Sequence, residues 1–312
     1  MSGATRPALR IATRKSRLAL WQANHVSDLL RSAHAGLMVE LVPLSTQGDR
    51  IQNRSLAAIG GKGLFIKELE NALAERRADV AVHSMKDVPG EIPDEFAIAA
   101  VLERADPSDA LLTSRALRLE ELPMGARVGT SSLRRQSQLL ALRPDLRIEL
   151  LRGNIDTRLR RLDEGRFDAI ILASAGLTRL GWESRIGARL EPSVCLPAVA
   201  QGIIGIECRN DDSHTQQLLE PLNDPLTRTV MDAERAFAAK LGGSCQSPIA
   251  GHATLRAGIL TLAGLIAEPD GSRLLRDSIS GPADEAVRLG EALASRMLAA
   301  GADVLLERLR SA

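Results

Sequence analysis

Three times along this chain a short apolar run ends in a turn of hydroxyl, glycine and basic residues that opens a helical stretch: at 10–16 (RIATRKS), 129–135 (GTSSLRR) and 152–154 (RGN). Strand, turn and helix in that order build α/β layers with parallel strands at the centre. The first unit reads as a strand at 9–13, then a helix from about Ser16 with Ala19, Ala23, Val26 and Leu30 at helical spacing, then a strand at 39–44. The rhythm continues with a helix over 64–75 and strands at 79–82 and 97–102. The charged, proline-bearing segment 104–109 (RADPSD) marks a linker. Beyond it a second α/β region has strands at 126–129, 146–150 and 168–173, with helices after Ser132 and Asn154. A further boundary falls at 196–202, before an apolar strand at 203–207. The remaining chain changes character: a helix over 225–241, three β-like runs between 249 and 279 broken at Gly258 and Asp270-Gly271, and a closing helix striped by Ala286, Leu289, Leu293 and Met297. That is the pattern of a small α+β domain.

Charge excludes some functions. Forty basic against 39 acidic side chains leave a net charge of +1, so any anion site is local and a dedicated nucleic-acid binder is not expected. Four Phe, two Trp and no Tyr leave little for stacking on bases. All but Lys15, Lys62, Lys67, Lys86 and Lys240 of the 40 basic side chains are arginines. That bias fits either codon usage or a need for forked donors to carboxylate or phosphate. The three cysteines, Cys195, Cys208 and Cys245, have no CxxC spacing or histidine pair, so neither a disulfide framework nor a metal site is expected. No apolar run reaches the roughly 20 residues of a membrane span, and no signal pattern opens the chain, which leads to the expectation of a cytoplasmic protein with no membrane contact.

A helix start offers free N–H groups and the positive end of the helix dipole, so each of the three turns favours an anion. Taken alone, Ser132 with Arg134 and Arg135 is equally a plain serine cap beside two solvated arginines. Arg158, one to two turns into its helix, adds a second case of the same chemistry, and Thr13, Arg14 and Ser16 a third. In an open α/β sheet such turns gather at the carboxyl ends of the strands and face one cleft. The glycine-rich loop 60–63 (GGKG) carries Lys62 but lacks nucleotide P-loop spacing. The run 79–89 (DVAVHSMKDVP) crowds His83, Ser84, Lys86 and Asp87 at a strand end. There Asp87 suits stabilisation of a developing cation, a salt-bridged turn being the alternative, and His83 reads as a structural hydrogen-bonder. Cys245 sits in a polar glycine-rich loop, 242–248 (GGSCQSP), whereas Cys195 and Cys208 lie in apolar, strand-like contexts and read as small core residues.

In order and spacing, RIATRKS at 10–16, GGKGLF at 60–65, VHSMKDVP at 82–89, GTSSLRRQ at 129–136, LRGNIDTRL at 151–159, LPAVAQGIIGIE at 196–207 and the Cys245 loop resemble the porphobilinogen deaminase family across nearly the whole chain. The resemblance implies two periplasmic-binding-protein-like α/β domains flanking a cleft plus a small C-terminal α+β domain. The first would span 1–103 and 203–222, the inserted second 107–198, and the third 224–312. It implies a dipyrromethane cofactor held covalently through Cys245, porphobilinogen as substrate, Asp87 as the catalytic carboxylate and a monomer. By the same resemblance Lys86, Thr130, Ser132, Arg134, Arg135 and Arg158 would bind the cofactor, and Arg14, Ser16, Lys62, Arg152 and Arg179 the substrate. The sequence departs from the family's pattern at Ala58, Ala200 and Ser244. Ala58 puts one lysine contact in doubt. Two other function classes compete with it: a non-enzymatic cleft protein for a small polycarboxylate, which leaves Cys245 without a role, and a nucleic-acid binder.

Overall fold

A computed structural model describes residues 8–46, 66–114, 118–242 and 247–311. The expectations placed on Ala58, the 60–63 loop with Lys62, Ser244 and Cys245 fall outside the described residues.

The first sheet contains β1 (Leu9–Arg14), β2 (Val39–Leu44), β3 (Val80–Ser84), β4 (Phe96–Val101) and β10 (Ile204–Arg209), in the order β2-β1-β3-β10-β4. Strands β2, β1 and β3 run parallel, while β10 is antiparallel to both β3 and β4. All six residues of β10 are buried, the charged Glu207 and Arg209 included. Helix α1 (Arg17–Ala33) buries Ala19, Ala23, Val26 and Leu30, the stripe expected from its spacing, and α2 (Lys67–Ala74) buries Leu69, Ala72 and Leu73.

The second sheet repeats the plan. It holds β5 (Asp109–Thr113), β6 (Arg127–Thr130), β7 (Arg147–Leu150), β8 (Ala169–Ala173) and β9 (Ala188–Leu190), in the order β7-β6-β8-β5-β9. Strands β7, β6 and β8 are parallel, and β5 is antiparallel to β8 and β9. Helices α3 (Leu133–Leu142), α4 (Ile155–Asp163) and α5 (Ser174–Arg179) follow β6, β7 and β8 in turn.

The chain passes from one lobe to the other twice, between β4 and β5 and between β9 and β10. Each passage leaves an edge strand of one sheet and enters the interior antiparallel strand of the other. The passages touch: the Ala105 amide donates to the Gly202 carbonyl at 3.2 Å. Gly202 has φ +92°, and a Cβ there would stand 2.4 Å from the Ala105 carbonyl oxygen, so only glycine fits.

After α6 (Ser213–Leu219), helix α7 (Pro225–Lys240) leads to the meander β11 (Ile249–Arg256), β12 (Ile259–Ala267) and β13 (Leu274–Pro282). Phe237 fills this core against Gly264, where a Cβ would lie 2.6 Å from the ring. The closing helix is two helices, α8 (Ala286–Met297) and α9 (Asp303–Ser311), because the chain breaks at Gly301 with φ +98°.

Strands β5 and β9 escaped the sequence reading. Asp109, placed at the end of a linker, begins β5. Cys195 is buried as expected but lies in a turn after β9 rather than in a strand, beside Asp109 and Arg134. Cys208 is a core residue of β10. His83 bonds the equally buried Glu207 at 2.8 Å, the structural role expected of it.

Candidate active site

The carboxyl ends of β1, β3, β6, β7 and β8 open onto one cleft of about 590 Å³ between the two lobes. Among the described residues its lining includes ten lysine and arginine side chains but only two carboxylates, Asp87 and Asp156. In a chain with a net charge of +1, that local excess is the site's main signature.

Three of the anion-favouring turns are built as their sequences imply. Ser16 caps α1 by accepting from the Ala19 amide at 3.3 Å, with Arg14 half-buried just before it. Ser132 caps α3 by accepting from the Arg135 amide, and the Thr130 hydroxyl accepts from the Ser132 amide at 3.2 Å. Asn154 caps α4 through the Thr157 amide at 2.9 Å, and Gly153 takes φ +107° to turn the chain. Each cap uses one N–H and leaves others near the helix start for a ligand.

The arginines divide into two groups. Arg134 and Arg135 are buried and grip the carboxylate of Asp109: Arg134 Nη2 stands 2.8 Å from Oδ2 and Arg135 Nη2 2.7 Å from Oδ1. Arg134 also donates to the Leu196 carbonyl and Arg135 to that of Ile171. Burial alone would raise the pKa of Asp109, but the two guanidinium charges outweigh it and hold the carboxyl below its usual range. Part of each fork is therefore spent inside the second lobe.

The second group is less compensated. Arg158 donates from Nε to the Gly153 carbonyl at 2.8 Å, and burial, reinforced by neighbouring Arg135, lowers its pKa to about 10 despite the opposing pull of Asp87. Burial likewise lowers Arg179 to about 10 and pulls Arg152 below its ordinary value. Crowding by protein atoms lowers Lys86 to about 8, although Asp87 pulls the other way. Desolvated cations of this kind are stabilised by an incoming polyanion, most of all by one with several carboxylates.

Asp87 ends the one-turn 3-10 helix Met85–Asp87 that follows β3. Its carboxylate lines the cleft and receives no hydrogen bond or ion pair from the described residues, yet its charge acts on both Lys86 and Arg158. An acceptor left open among so many cations suits a ligand N–H or a developing positive charge.

The cleft thus brings together Arg14, Ser16, Lys86, Asp87, Ser132, Arg134, Arg135, Arg152, Arg158 and Arg179. Thr130 sits just behind, supporting Ser132. Sequence reading missed Arg235 of α7, which reaches the carbonyls of Pro89 and Gly90 and so clamps the segment after Asp87. It also missed Asp109 and Gln201; no local motif marks Arg235 or Asp109, and the 196–207 motif contains Gln201 without revealing its partners. Among the described residues no group of three or more His, Cys, Asp or Glu side chains is placed to hold a metal.

Residues 9–217 match the family described as porphobilinogen deaminase, dipyromethane cofactor binding domain, and residues 228–299 match the porphobilinogen deaminase C-terminal domain. The chain is 56% identical over 296 residues to the porphobilinogen deaminase of Chromobacterium violaceum, covering 95% of this chain and 96% of the relative. Among solved structures it is similar to the Bordetella pertussis BvgS periplasmic VFT2 domain, with a TM-score of 0.41 and 14% identity over 68% of this chain and 85% of that one. It is also similar to the zinc-bound ligand-binding component of an ABC-type import system from Staphylococcus aureus, with a TM-score of 0.40 and 13% identity over 75% of this chain and 74% of the other. With the sequence matched from the first strand to the last domain, and a cation-lined cleft where its motifs converge, the chain belongs to the porphobilinogen deaminase family.

Proposed function

We propose that this protein is a transferase that joins porphobilinogen units head to tail, with loss of ammonia at each step, and releases the chain with water as hydroxymethylbilane for tetrapyrrole and haem biosynthesis. The observation that carries the reading is the open Asp87 carboxylate inside a cleft crowded with desolvated cations. The family's dipyrromethane group fits this donor set, since its acetate and propionate arms match the cationic lining and its pyrrole N–H groups match an open carboxylate. When bound, that group supplies the covalently anchored pyrrole end to which new units are added. Cys245, in its polar glycine-rich loop, would be the anchor, and Lys86, Thr130, Ser132, Arg134, Arg135 and Arg158 would hold the carboxylate arms.

The residues of the chain do the rest. Arg14, Ser16, Lys62, Arg152 and Arg179 would bind the carboxylates of the incoming substrate. Asp87 would accept the substrate's pyrrole N–H and stabilise the cation that develops as the aminomethyl nitrogen departs. It need form no bond itself. Partial burial of Arg158 and Lys86 strengthens the contacts these two make with carboxylates.

The division into 1–103 with 203–222, 107–198 and 224–312 is the domain organisation this reading uses, and Gly202 is where the chain returns to the first unit. We infer a monomer working in the cytoplasm. In support of the location, no described helix is long and apolar enough to cross a membrane, and Cys195 and Cys208 are free, buried thiols. A non-enzymatic polycarboxylate binder would use the same lining but would have no use for the open acceptor at Asp87. Incubation of the purified protein with porphobilinogen decides between them. Loss of substrate with an equal amount of ammonia and a linear tetrapyrrole product supports the enzyme; binding without ammonia release supports the binder.

A further inference from the structure

One buried amide joins three parts of the cleft. Gln201 lies on the returning passage between the lobes and is 1% exposed. Its Nε2 donates to the Pro107 carbonyl at 2.7 Å, on the outgoing passage, and to Asp109 Oδ1 at 2.9 Å, at the start of β5. Its Oε1 accepts from Lys86 Nζ at 3.4 Å, one residue from Asp87. The residue's own carbonyl accepts from Arg104 Nε at 2.9 Å, and that guanidinium is tied to the fully buried Glu234 of the third unit.

The polarity of a carboxamide makes this arrangement directional. Arg134 and Arg135 require a carboxylate, and Asp109 supplies it. Asp109 in turn faces the donor end of Gln201, which leaves the acceptor end for a cation. We propose that Gln201 is a positioning residue: its amide couples the Arg134–Arg135–Asp109 cluster of the second lobe to Lys86 beside Asp87 in the first, holding the charges of the two cleft walls in register.

Neither a carboxylate nor an apolar residue does the same work. A glutamate would set like charge against Asp109, and a methionine would fill the space but take away one acceptor of Lys86. Among the described residues, the charged groups that act on Lys86 include Asp87 on its own turn and Asp109, Arg134 and Arg135 across the cleft. Gln201 is a neutral acceptor among them, and its loss should make the ammonium harder to keep.

The inference rests on the deaminase reading for its effect on turnover, but it can also be read without turnover. The apparent pKa of Lys86 is obtained from the pH dependence of its acylation by a small amine-reactive ester, followed by peptide mass mapping before any porphobilinogen is added. In Gln201→Met we expect that pKa to fall below the wild-type value of about 8. The alkaline limb of kcat should move down with it, and kcat should drop by about tenfold to a hundredfold with KM little changed. Thr227→Val serves as the structural comparison. The Thr227 hydroxyl accepts from the Arg104 amide at 3.0 Å, so its loss loosens the same crossing without touching Lys86.

An unmoved Lys86 in Gln201→Met, or an equal shift in Thr227→Val, overturns the proposal. Should the methionine variant fail to fold, Gln201→Asn, which keeps both amide ends but is one methylene short, carries the same two outcomes. If the wild type does not consume porphobilinogen, the functional reading fails on its own and the Lys86 titration still decides the role of Gln201.

Discussion

Asp109 accepts two hydrogen bonds from Arg135, from Nε at 3.1 Å and from Nη2 at 2.7 Å, at a point where the aspartate has no solvent exposure. With Arg134 on the other oxygen, the first residue of β5 neutralises the start of α3. Asp109→Ala leaves two buried guanidinium groups without their counter-charge, and the expected loss is about 3–5 kcal/mol. Denaturant unfolding of the variant checks this; a loss under about 1 kcal/mol would mean that Arg134 and Arg135 are compensated elsewhere.

Arg158 should behave in the opposite way. It is desolvated, it lies beside Arg135, and its pKa is lowered to about 10, so its charge is poorly satisfied by the protein itself. Arg158→Leu is therefore expected to hold or raise the melting temperature while reducing kcat/KM for porphobilinogen by about a hundredfold or more. A parallel fall in both quantities would assign the side chain to the fold rather than to the ligand.

Lys86 gives the site an alkaline limit. Its folded pKa of about 8 lies below the ordinary lysine value, so the ammonium is present at neutral pH and is lost as pH rises through about 8. The hold of Lys86 on the cofactor's carboxylate arms, and with it kcat, should decline over that window, and Lys86→Gln should flatten the limb while lowering the plateau. A profile level to pH 9 in the wild type would show that Lys86 contributes no charge to binding.

Gly202→Ala tests the crossing. The methyl would collide with the Ala105 carbonyl, and the residue would be held at φ +92°. A loss of at least about 2 kcal/mol is expected in thermal or denaturant unfolding. Wild-type stability would mean that the two passages separate freely in solution.

The parts of the fold legible in the sequence were those with local causes. The stripe of α1, the caps at Ser16, Ser132 and Asn154, and the strands β1, β2 and β10 follow from periodicity and turn chemistry within a few residues. Strand β9, three residues long, carries too little pattern to be seen, and β5 hid behind a charged segment that resembled a linker. The site was legible to a similar degree. Residues at strand ends and helix starts were found because their chemistry is written in the adjacent sequence. Asp109, Gln201 and Arg235 were missed because their roles exist only through partners 26, 115 and 146 positions away, at Arg135, Lys86 and Pro89. Arg134 and Arg135 were read as ligand-facing, and only the structure adds that they also neutralise a buried aspartate.

The most direct test of the proposed chemistry is the intact mass of the denatured protein, measured beside a Cys245→Ser variant. A wild type heavier by one dipyrromethane, with the variant at its bare polypeptide mass, is the expected result and fixes both the group and its anchor. Bare mass in both proteins, even after incubation with porphobilinogen, would contradict the reading and leave a cleft that binds polycarboxylates without building on them.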